Sequence, residues 1–196
     1  MKRTANIERK TNETNISISL CVDGNGIRSI KTPVEFLNHM LDLLAKQGLF
    51  DIKIQADGDI YIDEHHTVED IGIVLGKSFA RALGDKKGIN RYGFFIMPMD
   101  EALATVAIDF SGRYSFTFQC EFSREKVGDL STELVYDFWD SFAQNAQTNI
   151  FIKVENGRND HHKIESIFKA MAKALRMACE LDKRALLEIP STKGVI

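Results

Sequence analysis

Apolar residues alternate with polar ones at Ile16, Ile18 and Leu20, which predicts a half-buried strand, and the turn "DGNG" (Asp23 to Gly26) leads into a second strand over 27–30. Thr32 and Pro33 read as a helix cap and first helical position, with the helix running to about residue 47 and Gly48 ending it. "FDIKIQA", from Phe50, alternates as a strand. Val68, Ile71, Val74, Leu75, Phe79 and Leu83 then recur at helical spacing up to Gly84. The same order follows in the second half: strands over 103–110 and 114–122, a helix over about 132–145, the strand "NIFIKV", and a helix carrying Ile164, Ile167, Met171 and Leu175. Each half reads ββαβα. The expected fold class is therefore α+β, with two four-stranded sheets and helices packed between them or on one face.

The repeat extends to residue identities. "HHTVEDI" from His65 is answered by "HHKIESI" from His161, so that His65, His66, Glu69 and Ile71 match His161, His162, Glu165 and Ile167. Upstream, "FLNHMLDLLAKQGLFDIKIQADG" and "LVYDFWDSFAQNAQTNIFIKVENG" align with a one-residue slip, pairing Asp42 with Asp140, Ala45 with Ala143 and His39 with Asp137. Two copies are too few for a stacked solenoid, so this is a tandem duplication with halves at 1–88 and 89–196. The joint falls over 86–90, and nothing there is rich enough in Pro, Gly or Ser to make a flexible linker.

Composition narrows the functional classes. A chain of 196 residues that is 44% hydrophobic can bury a proper core, and a net charge of −3 argues against broad capture of nucleic acid. Cys21, Cys120 and Cys179 are far apart and outside any C-x-x-C spacing, which suggests neither a disulfide framework nor a thiolate zinc site. The N-terminus lacks the apolar run of a signal peptide, and no stretch reaches the roughly 18 apolar residues of a membrane span. The expected compartment is the cytoplasm.

Four of the five histidines lie in the two doublets. On a helix His65 and Glu69 are i, i+4 and His66 and Glu69 are i, i+3, while the two neighbouring rings point about 100° apart. Rings so splayed do not grip one ion, but each can offer a nitrogen to a different one. The economical arrangement is two metal sites, each taking histidines from both motifs plus a carboxylate. Such a donor set suits Mn, Fe, Co, Ni or Zn and argues against a structural zinc cage. His39 is a candidate further ligand, and its partner in the repeat, Asp137, is also ligand-capable.

The blocks "RKTNET", "FLNHML", "GDIYIDEHHTVEDIGIVLG", "GINRYGFFIMPMDEAL", "DFSGRY", "GRNDHHKIESIFKA" and "PSTKGV" resemble, in order and spacing, those of the imidazoleglycerol-phosphate dehydratase family in its monofunctional form. The resemblance spans nearly the whole chain and leaves no room for the phosphatase domain fused to some members. It implies a hydro-lyase of histidine biosynthesis with a duplicated fold, of the kind also found in a small-subunit ribosomal protein. It further implies two Mn²⁺ ions per subunit, and trimers assembled into a cage of twenty-four subunits with active sites between them. The implied metal ligands are His39, His65, His66, Glu69, His161, His162 and Glu165. Asp137 stands where many members have histidine, and a carboxylate there can still bind a hard ion. Asn38 stands where the family often has Asp, a change expected to act only behind the ligands.

The implied reaction dehydrates D-erythro-imidazoleglycerol phosphate to imidazole-acetol phosphate through a metal-bound imidazolate. The C–H bond to be broken has no carbonyl beside it, so a Lewis acid on the ring must provide the electron sink. Glu13 matches the family's substrate-contacting glutamate and serves as general acid/base, with the ligand carboxylates Glu69 and Glu165 completing the catalytic set. Arg91, Arg113, Lys169, Ser191, Thr192 and Lys193 are expected to clamp the phosphate. Taken alone, Lys169 reads as the polar face of its helix, "SGR" as a strand turn and "PSTKG" as a frayed end. A metal-dependent phosphate-ester hydrolase needs the same residues, and a metal-assembled structural protein needs the same histidines; both alternatives stay open.

Overall fold

The computed structural model describes residues 2–196. The elements run β1 (Thr4–Lys10), β2 (Thr14–Cys21), β3 (Arg28–Lys31), α1 (Glu35–Gly48), β4 (Asp51–Gly58), α2 (His65–Leu83), β5 (Tyr92–Met99), β6 (Ala102–Asp109), β7 (Ser115–Gln119), β8 (Lys126–Val127), β9 (Leu130–Ser131), α3 (Leu134–Ala146), β10 (Asn149–Asn156) and α4 (Asp160–Cys179). The two large sheets have the matching orders β1-β2-β4-β3 and β5-β6-β10-β7, while β8 and β9 form a small hairpin. In each sheet the first three strands are antiparallel, and the last strand in the order runs parallel to its neighbour.

The α+β architecture with two four-stranded sheets is present, and the helices lie between the sheets. Each half also begins with a strand the sequence pattern did not reveal, making the unit βββαβα. Both extra strands are sheet edges. β1, "TANIERK", buries only Ala5, because a charged edge discourages pairing with other chains. β5, "YGFFIMPM", contains Gly93 and Pro98, which demote a strand reading, and an edge tolerates the missing N–H of proline.

The inner faces carry Ile16, Ile18, Leu20, Ile52 and Ile54 from the first sheet and Val106, Ile108, Ile150 and Ile152 from the second, all buried. α2 lies on β1 and β2, and α4 lies on β5 and β6. Between these layers the helices pair across the halves, α2 with α3 and α1 with α4. This crossing positions the site, because it sets the N-terminal turn of each doublet helix beside a helix of the other half. Close approach of α2 to α3 needs Gly72 and Gly76, where an added Cβ would stand 2.5 Å from the Phe138 and Phe142 carbonyl oxygens. Gly76→Ala would gain about 1 kcal/mol of helix propensity, yet overpacking against a backbone that cannot yield costs about 1–3 kcal/mol. A net loss of stability is expected in thermal unfolding.

Thr32 and Pro33 both precede α1 rather than cap it. The Thr32 hydroxyl accepts the Val34 N–H at 3.1 Å, and the helix begins at Glu35. The cap comes from the other half: the Asp129 carboxylate accepts the N–H groups of Glu35 and Phe36 at 2.6 and 2.9 Å. The joint is held by the C-terminal segment, with Asn90 N–H bonded to Glu180, Gly88 N–H to Glu188 and Asp182 N–H to Gly88. No helix among the described residues is long and apolar enough to cross a membrane.

Candidate metal centre and anion cleft

The acidic residues around each doublet fix its helix. Asp63 accepts the His65 N–H at 2.9 Å, and Asn159 accepts the His161 N–H at 3.0 Å, so each helix start is satisfied locally. Glu64 and Asp160, each just before a doublet, are buried and reach across the chain. Glu64 takes Ser131 N–H and hydroxyl at 2.8 and 2.6 Å with Lys126 at 3.1 Å, and Asp160 takes Ser123, Arg124 and Lys163. Burial alone would raise the Glu64 pKa, but the bonds from Ser131 and Lys126 outweigh it and hold the carboxyl at about 2. Its contribution is therefore complete above the ordinary carboxylate range and fades as pH falls. Comparing wild type with Glu64→Gln in denaturant, a gap of roughly 3 kcal/mol at neutral pH is expected to close between about pH 5 and 2.

At the α1–α4 contact three ligand-type side chains converge. His39, His161 and Glu165 offer one atom each, all within 4.8 Å of one another. His39 Nε2 is 3.6 Å and His161 Nε2 3.1 Å from the same Glu165 oxygen. Ligands each about 2.1 Å from one ion stand about 3 to 4 Å apart, so this imidazole and carboxylate trio fits a divalent cation. Phe36 packs edge-on to His161 at 5.0 Å between centroids and steadies that ring. Burial pushes the Glu165 pKa up, but Lys169 and then His161 bring it below the usual carboxylate range.

The α2–α3 contact repeats the arrangement less tightly. His65 Nε2 lies 3.9 Å from Glu69, and burial raises the pKa of Asp137 on α3, with nearby His65 only partly offsetting the rise. The repeat thus sets Asp137 where His39 stands in the other trio. Asn38 is spent on structure: its amide oxygen accepts the Thr32 N–H, and its NH₂ donates to the Thr32 carbonyl and to Glu35. Aspartate could not make both bonds to Thr32.

His66 and His162 turn away from their doublet partners, with rings 6.1 and 6.0 Å apart and nearly perpendicular. His66 Nδ1 lies 3.1 and 3.2 Å from the oxygens of buried Asp59, and that bond raises its pKa. His162 Nδ1 lies 2.8 Å from Glu101, whose pKa the bond draws down to about 2. Sequence reasoning missed Asp59 and Glu101. Glu13 sits in a turn braced by its threonines: Thr11 accepts the N–H groups of Glu13 and Thr14, while Arg9 and Thr14 both hold buried Asp70. Its carboxylate is left exposed, 4.0 Å from His66.

The expected phosphate clamp divides. Arg91, Arg113, Ser191, Thr192 and Lys193 line one cleft of about 390 Å³, held by Arg91, which pairs with Asp109 at 2.6 Å and donates to the Pro190 carbonyl at 2.8 Å. The tail residues are thereby docked rather than frayed. Lys169 lies elsewhere, on Glu165 of the trio. Arg91 N–H is bonded to Ala178 near the far end of α4, and at the helical rise per residue the cleft lies about 20 Å along that helix from Glu165.

Fold and site together define a duplicated α+β protein with a histidine–carboxylate cluster that could hold a cation and a separate basic cleft. The sequence profile described as imidazoleglycerol-phosphate dehydratase matches residues 32–175. The chain belongs to that family, and with it to the hydro-lyases of histidine biosynthesis. The Clostridium botulinum imidazoleglycerol-phosphate dehydratase is 50% identical over 194 residues, covering 99% of this chain and 98% of its own length. The histidine biosynthesis bifunctional protein HisB of Spirosoma linguale is 54% identical over 99% of this chain but only 50% of its own. The crystal structure of the Staphylococcus aureus enzyme is 39% identical with a TM-score of 0.83, covering 91% of this chain and 99% of that one. The Pyrococcus furiosus structure is 33% identical with a TM-score of 0.84, covering 97% and 100%.

Proposed function

We propose that the protein dehydrates D-erythro-imidazoleglycerol phosphate to imidazole-acetol phosphate in the cytoplasm, using two Mn²⁺ ions per chain. The gathering of His39, His161 and Glu165 carries this reading, because three donors from two halves meet at ion-binding distances. One ion would be held by that trio and the other by His65, Glu69 and Asp137. His66 and His162, turned away from their doublet partners, would each complete a site on a neighbouring subunit. Ions so held would supply Lewis acidity to the imidazole ring, helping it shed its N–H proton.

The chain's own groups do the rest. Glu13, exposed and without a hydrogen-bond partner for its carboxylate, moves the proton of the unactivated C–H bond. Lys169 neutralises Glu165 and keeps that carboxylate ionised. The basic cleft binds the phosphate, and its distance of about 20 Å from the trio on the same chain exceeds a glycerol phosphate arm. Substrate therefore bridges subunits, which is the reason for a homo-oligomer, proposed here as a cage of twenty-four chains built from trimers. The halves 1–88 and 89–196 share each site within one chain. Incubation of the purified protein with substrate is expected to yield the ketone with phosphate retained; release of inorganic phosphate instead would mark a hydrolase and overturn the reading.

A further inference from the structure

We propose that Glu101 is a positioning residue that fixes the tautomer of His162, placing the proton on Nδ1 so that Nε2 presents a lone pair to an ion. This rests on the metal reading above and adds a residue to it. Glu101 immediately precedes β6. Its Oε1 accepts two backbone donors, Arg158 N–H at 3.1 Å and Asn159 N–H at 2.8 Å, which fixes the orientation of the carboxylate. Oε2 then faces His162 Nδ1 at 2.8 Å. A carboxylate with no proton can only accept, so Nδ1 must donate. Nε2 is left without a hydrogen bond among the described residues, with the exposed Asp100 carboxylate 3.7 Å away.

The duplication shows why this carboxylate has a job that its counterpart lacks. Glu13 immediately precedes β2 as Glu101 precedes β6, and each points at the second histidine of its own half. In the first half Asp59, directly after β4, holds His66 Nδ1, and Glu13 stands back at 4.0 Å. In the second half the residue directly after β10 is Gly157, which has no side chain to offer. Glu101 therefore holds the ring itself. The two halves thus hold a free carboxylate at Glu13 and a bound one at Glu101.

The geometry gives an unusual ordering of variants. In Glu101→Gln the two backbone donors claim the amide oxygen, so the amide NH₂ must face Nδ1. It can only donate there, which moves the ring proton to Nε2 and blocks the lone pair. Glu101→Ala loses more bonds but leaves the tautomer free. Mn²⁺ affinity, measured by competition with a chelator on the full assembly, is expected to fall about 10- to 100-fold at one of the two sites in Glu101→Gln, and by less in Glu101→Ala. Thermal stability should rank the other way, with Glu101→Ala the lower. Unchanged affinity in Glu101→Gln, or affinity and stability falling in the same order, would overturn the proposal while leaving the metal reading intact. A wild-type protein that takes up no Mn²⁺ overturns both.

Discussion

Glu13→Gln is expected to lower kcat by at least about 10²-fold while leaving ion content and particle size unchanged. In the turn "KTNET" Thr11 accepts backbone N–H groups and Thr14 holds Asp70, which braces the backbone on either side of Glu13 and leaves its carboxylate unbonded. Asp59 has already taken the hydrogen bond that His66 could have given it. Glutamine keeps the size and removes the base. Steady-state rates and elemental analysis on the same preparation check this, and wild-type turnover in the variant would remove Glu13 from the chemistry.

Stripping the ions is expected to stop turnover and break the assembly into smaller particles, with both restored on adding Mn²⁺. Within one chain each proposed site has only three ligands, and the second histidine of each doublet is turned away from the first. Ions that bind only where subunits meet stabilise the assembled state by mass action, by about 2.7 kcal/mol per site at a free ion concentration a hundredfold above Kd. With many such sites in one particle, the effect of chelation on size is large. Light scattering with and without chelator measures it; a particle of constant size shows that assembly does not depend on the ions.

The sequence revealed most where one periodicity sufficed. The inner strands and all four long helices follow from apolar spacing, while the extra turn that starts α2 at His65, ahead of Val68, did not. Of the edge strands, β3 and β7 showed but β1 and β5 did not, since β1 is mostly polar with a charged end and β5 carries Pro98. Periodicity also identifies the buried face of a helix without naming what covers it, which left open whether the helices lie between the sheets. The cap on α1 comes from Asp129, far along the chain, and local pattern pointed to Thr32 instead. Among candidate site residues, the doublets and His39 stood out as rare types in a repeat. Asp59 and Glu101 are single carboxylates in turns, and only a repeat alignment carried back to the strand starts would have paired Glu101 with Glu13. Resemblance groups Lys169 with the phosphate residues, yet helical geometry puts it on Glu165.

Elemental analysis of the purified assembly decides whether side chains from both halves of one chain build two cation sites. Two Mn²⁺ per chain are expected, falling to one in His161→Ala. Wild-type protein free of transition metal after purification in Mn²⁺-containing buffer, or His161→Ala retaining both ions, would contradict that arrangement.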